Sequence, residues 1–190
     1  DISVDNSRCA DSCDGSIQMK ITGGTGTLLT QWNDGGELGP VRDGLCAGEY
    51  VFFVVDERGC RQKGSLGISA PLPIEVAISS NEPSCAGVTN GTLMAVASGG
   101  TGELNYSWPS GQSGAGLSAI GAGTYALTVS DESDCELVTD VVLPDGPVLQ
   151  ANVQVNYGCG DGQLIVSAQP INGTAPYTYD WSTGSSAPFL

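Results

Sequence analysis

Seven cysteines (9, 13, 46, 60, 85, 135 and 159) and two pairs, Asp56-Glu57 and Asp131-Glu132, are the groups best able to do chemistry. Thiolates hold zinc or oxidise to disulfides, and adjacent carboxylates suit acid–base work or a hard cation. The chain has no histidine, which removes the commonest general base and the commonest metal ligand together. The carboxylate pairs have no nucleophile pattern beside them and read as loop acceptors. The run Gly-Gly-Thr-Gly at 23–26 and 99–102 lacks the Lys-Ser/Thr and the helix of a phosphate loop, and reads as a turn. We assign no catalytic residue and no metal ligand. Calcium at these loops or at unit junctions is the one cofactor class left, and no EF-hand spacing supports it.

What must position these groups is an internal repeat. Cys9 to Gly26 aligns without a gap on Cys85 to Gly102, and Cys46 to Cys60 on Gly121 to Cys135. A tryptophan follows a glycine by eight positions three times, at Gly24/Trp32, Gly100/Trp108 and Gly173/Trp181. The offsets of 76, 75 and 73 residues exceed a solenoid period, so each unit is expected to be a small domain with its own core. The expected units are 1–71 with a truncated first strand, 72–146, and 147–190 without its last strands.

Within a unit the pattern alternates with period two, the mark of half-buried strands. Ile17, Met19 and Ile21 alternate with Ser16, Gln18 and Lys20; Tyr125, Leu127 and Val129 alternate with Ala126, Thr128 and Ser130. Six to seven short strands per unit, glycine turns and one inward tryptophan predict an all-β chain of tandem immunoglobulin-like sandwiches. The second unit's strands fall near 74–79, 92–97, 104–108, 117–120, 124–130 and 136–143.

Cys9 is equivalent to Cys85, and Cys60 to Cys135. A pair common to both units predicts intradomain disulfides Cys9–Cys60 and Cys85–Cys135, each worth roughly 3–4 kcal/mol in the chain-entropy model. Cys13 and Cys46 are peculiar to the first unit and are expected to pair with each other. A zinc site of Cys9, Cys13, Cys46 and Cys60 is the rival, weakened by irregular spacing. Cys159 opens the third unit. Cysteines in a Gly-rich β chain point to an oxidising, extracellular compartment.

Lys and Arg total 6 against 21 Asp and Glu, for a net charge of −15. Such a surface repels phosphate backbones and excludes nucleic acid. No apolar run is long enough to span a bilayer. All the cations precede residue 64.

The succession Cys85, Gly91, Gly99-Gly100, Tyr106-Ser-Trp108, Gly123-x-Tyr125, Asp131 and Cys135 resembles the SprB-type repeat of large cell-surface proteins of Bacteroidota. The resemblance implies export by the type IX system, a cell-surface location and a role in adhesion or gliding motility, with no catalytic residues. The leading expectation is a non-catalytic structural or adhesive segment whose partners are other repeats, protein subunits or surface glycans. A subunit of a self-assembling filament is second, and a carbohydrate-binding module third. The first unit departs from its sister at Leu29, Val51, Phe53 and Val55, where the second has Asn105, Ala126, Thr128 and Ser130. These four are expected to form an apolar contact patch on one outer face.

Overall fold

A computed structural model describes residues 1–35, 38–157 and 164–190. Cys159 therefore lies outside the described residues. Fourteen strands, β1 to β14, account for the regular structure there, and no helix is present among them.

In the first repeat β1 (Ile2–Asp5), β2 (Gly15–Met19) and β4 (Val41–Leu45) form one sheet in the order β1-β2-β4. β3 (Leu29–Trp32), β5 (Gly48–Val55) and β6 (Arg61–Ile68) form the other, ordered β3-β5-β6. All these pairings are antiparallel. Splitting the first, second and fourth strands from the third, fifth and sixth is the immunoglobulin arrangement in short form. Ile17, Met19 and Leu45 from one sheet meet Trp32 and Ile68 from the other in the buried core. Val4, Ile21, Tyr50, Phe52 and Leu66 pack around them.

The second repeat reproduces the order. β7 (Glu75–Asn81), β8 (Gly91–Ser98) and β10 (Gly116–Ile120) make one sheet; β9 (Asn105–Ser107), β11 (Gly123–Ser130) and β12 (Glu136–Leu143) make the other. Its buried side chains include Leu127 and Val129, which the alternation marked, together with Leu93 and Ala95. In the third, β13 (Gln150–Tyr157) pairs with β14 (Leu164–Ile171), and Leu190 exchanges backbone hydrogen bonds with Val166. Leu117 stands opposite Leu93 at the equivalent place in the second repeat.

Two side chains lock the repeats locally. Each indole N–H donates to a loop carbonyl: Trp32 to Gly39 at 3.1 Å, Trp108 to Gly114 at 3.0 Å and Trp181 to Ala187 at 2.7 Å. A glycine three residues on closes the turn by donating to each tryptophan's carbonyl. The Tyr50 and Tyr125 hydroxyls donate to the carbonyls of Cys46 and Gly121, four residues upstream, as in a tyrosine corner.

Compactness does not follow the repeats. One compact body holds Asp1–Ala77, Ala97–Ser107 and Thr128–Val138; the other holds Ile78–Val96, Trp108–Leu127 and Thr139–Leu190. Cys9 and Cys135 both lie within the first.

Candidate functional site

The outer face of the β3-β5-β6 sheet follows from its register. Thr30 and Trp32 point inward, and their cross-strand partners Val54 and Phe52 share that face. Leu29 therefore lies outward opposite Val55, with Phe53 opposite Gln31 and Lys63, and Val51 opposite Ser65. Leu29 is 53% exposed, while Val51, Phe53 and Val55 are half-buried. The Arg61 guanidinium lies 3.6 Å from the Phe53 ring centroid and covers part of that ring. Of the four, Leu29 is thus the side chain that stands open.

The acidic pairs are structural acceptors. Asp56 accepts N–H bonds from Thr25, Arg58 and Cys60 at 2.8–3.1 Å. Asp131 accepts from Thr101, Ser133 and Cys135 at 2.7–2.9 Å. The Cys60 N–H, followed by those of Thr25 and Arg58, holds the Asp56 carboxyl below its ordinary pKa. Burial pushes Asp131 upward, and its three N–H donors outweigh that, so it too is lowered. The Thr27 N–H lowers Glu57 in the same way. Asp14 is lowered most, by the Arg8 side chain at 2.6 Å with help from Ser12. Carboxylates held ionised by fixed donors are poor proton carriers. Among the described residues no three acidic, cysteine or histidine side chains gather as a metal-ligand set.

The cysteines correct the expected pairing. Cys9 is bonded not to Cys60 but to Cys135, with Cα atoms 5.6 Å apart, and Cys60 and Cys85 are free thiols. Repeat equivalence marks which positions can bridge, but it does not say whether the partners share a unit. Here the first-cysteine turn of one repeat meets the last-cysteine turn of the next. Cys13 is bonded to Cys46. With three of its four thiols in disulfides, the rival zinc set Cys9, Cys13, Cys46 and Cys60 is excluded.

Trp32 and Trp108 are only 6% and 2% exposed, so neither offers a ring face to a sugar. Two open grooves in the first body sit at equivalent ends of successive repeats. One, about 310 Å³, is lined by Gly24, Leu28, Val54, Asp56 and Cys60. The other, about 300 Å³, is lined by Gly100, Asp131 and Cys135 together with Cys9 and the linker at 71–74. Sequence reasoning missed both; their signal was the recurrence of a cysteine beside an Asp loop. Among the described residues no helix is long and apolar enough to cross a membrane.

No curated protein matches the chain. Among solved structures, an amphioxus IgVJ-C2 molecule is similar at 16% identity and TM-score 0.33, over 73% of this chain and 99% of that one. Residues 2–37 and 77–113 both match the SprB repeat family. These stretches cover the cysteine turn, the first inward strand and the glycine turn of each repeat, and the chain carries the SprB-type repeat there in two successive copies.

Proposed function

We propose that this chain is a non-catalytic structural and adhesive segment of a secreted cell-surface protein. One observation carries the reading. The groups that looked chemical, Asp56 and Asp131, each close a cysteine loop with three backbone N–H bonds, and do so identically in two repeats. Recurrent scaffolding of this kind serves a tandem array. The SprB-type repeat supports a place on the cell surface, and the disulfides fit an oxidising compartment.

The contact surface in this reading is the outer face at Leu29, Val51, Phe53 and Val55, meeting other repeats, protein subunits or glycans. The test is made on intact cells of the source organism. Antibody against the purified segment labels them, and deleting the gene reduces their attachment to glass and polystyrene. Labelling only after lysis, or unchanged attachment, would overturn the proposal. Introducing Leu29→Asp and Val55→Asp into the full protein lowers attachment without altering its amount on the surface.

The filament reading has one observation in its favour, a covalent bond that already crosses from one repeat to the next. Regular contacts between molecules along one axis, seen by electron microscopy of the purified protein, would decide for it.

A further inference from the structure

We propose that the Cys60 end of the first sandwich is a docking socket for another repeat of this type, placed ahead of the first as the first stands ahead of the second. A disulfide from the incoming repeat's first cysteine to Cys60 seals it.

The repeat makes two ends of the first body equivalent. In the second repeat that end is covered. Gly100 donates its N–H to the Leu72 carbonyl at 2.9 Å, a Cβ on Gly99 would collide with the Pro73 carbonyl, and Cys135 is bonded to Cys9. The cover is the first repeat's Cys9 turn and the linker that follows it. In the first repeat the same end is bare. Nothing lies within 4 Å of a Cβ built on Gly23, and the Cys60 thiol is free and exposed. Burial tells the same story: Asp131 and Cys135 are 4% and 8% exposed, whereas Asp56 is half-buried and Cys60 open.

The bare end is also built like the covered one. The Asp carboxylate accepts the cysteine N–H at 2.8 Å for Cys60 and 2.9 Å for Cys135. The Asp N–H donates to the cysteine carbonyl at 3.1 and 3.0 Å. A left-handed residue precedes each cysteine, Gly59 at φ 80° and Asp134 at φ 60°. The backbone thus presents both sulfurs in the same way. The groove beside Cys60 has half-buried apolar walls in Ile21, Leu28 and Val54. On the donor side, Ser12 N–H to Cys9 carbonyl at 3.3 Å is matched by Val88 N–H to Cys85 carbonyl at 3.2 Å. Cys85, also free, keeps the turn that Cys9 uses to reach forward.

Closing the bond removes one hydrogen from each thiol. Oxidised glutathione accepts both by successive exchange and leaves as two molecules of the reduced form. The inference rests on repeat equivalence and stands whether or not the chain is adhesive.

The test extends the chain in register, with a copy of residues 1–76 placed ahead of Asp1, since Cys9 and Cys85 are 76 apart. The added copy carries Cys60→Ser and Lys20→Arg so that its peptides are distinct, and folding is carried out in a glutathione redox pair. The expected result is loss of alkylation at the original Cys60, with a cross-linked peptide joining it to the added Cys9. Adding Cys9→Ser to the added copy restores the thiol. The Cys9–Cys135 bond in the same digest reports that the original repeats have folded. An original Cys60 that still alkylates in such a folded chain, or that bonds within its own repeat, overturns the proposal.

Discussion

Cys9 and Cys135, 126 residues apart, are bonded from one repeat to the next rather than within either. A closure of that length is worth roughly 5 kcal/mol in the chain-entropy model, somewhat more than the shorter Cys13–Cys46 loop.

The pairing makes a direct prediction. Alkylating the folded protein without reductant labels Cys60 and Cys85, and leaves Cys9, Cys13, Cys46 and Cys135 untouched. Cleavage before Asp11 then separates Cys9 from Cys13, and mass spectrometry finds the Cys9 peptide linked to that of Cys135. A Cys9–Cys60 cross-link would reject the structure's pairing.

Why the sequence hid this is instructive. Alternation at Ile17, Met19, Leu127 and Val129 exposed the sheets, because each inward position is enforced by burial within one strand. The second repeat's strands accordingly fall within two residues of where the pattern put them. The tyrosine corner is equally local, since its bond runs only four residues back. A disulfide between repeats has no local signature. Cys9 looks the same to sequence whether it faces Cys60 or Cys135, and only the linker's path past Gly99 and Gly100 decides. Likewise, alternation placed Leu29 and Phe53 outward but could not anticipate that Arg61 lies over the Phe53 ring.

The glycine turns offer a paired test of that path. Gly23 and Gly99 both have positive φ, 99° and 87°, so alanine at either bears the left-handed penalty of about 1 kcal/mol. At Gly99 the new Cβ also runs into the Pro73 carbonyl, whereas at Gly23 it meets open space. Gly99→Ala is expected to lose at least about 2 kcal/mol in urea unfolding, and Gly23→Ala only the smaller amount. Equal losses would mean the linker does not lie where we find it.

The carboxylate loops set the acid stability. Asp56, Asp131 and Glu57 all have folded pKa values below their ordinary ones. A depressed value stabilises the fold fully above the unfolded pKa, about 4, and that contribution disappears as pH falls through the folded value. Thermal midpoints are therefore expected to show no loss from these groups between neutrality and the unfolded range, and a steep fall below it. Asp131→Asn puts an amide where the carboxylate accepts from both sides, setting donor against donor at Thr101 or at Cys135. The variant melts several degrees lower at neutral pH and shows a shallower acid limb. A wild-type midpoint at neutral pH would remove the loop from the account of stability.

The tryptophan turn recurs in two settings of different burial. Trp108 is 2% exposed and its indole N–H is bonded to the Gly114 carbonyl; Trp181 makes the same bond to Ala187 but is only half-buried. Phenylalanine removes the donor at both places. At Trp108 it also leaves a void in a closed core, costing about 2–3 kcal/mol in all. At Trp181, half-buried, the smaller ring leaves less of a closed void, and the cost falls to about 1 kcal/mol. Chemical denaturation of Trp108→Phe and Trp181→Phe measures the difference. Should Trp181→Phe prove the more damaging, stability would depend more on the third repeat than its half-buried tryptophan implies.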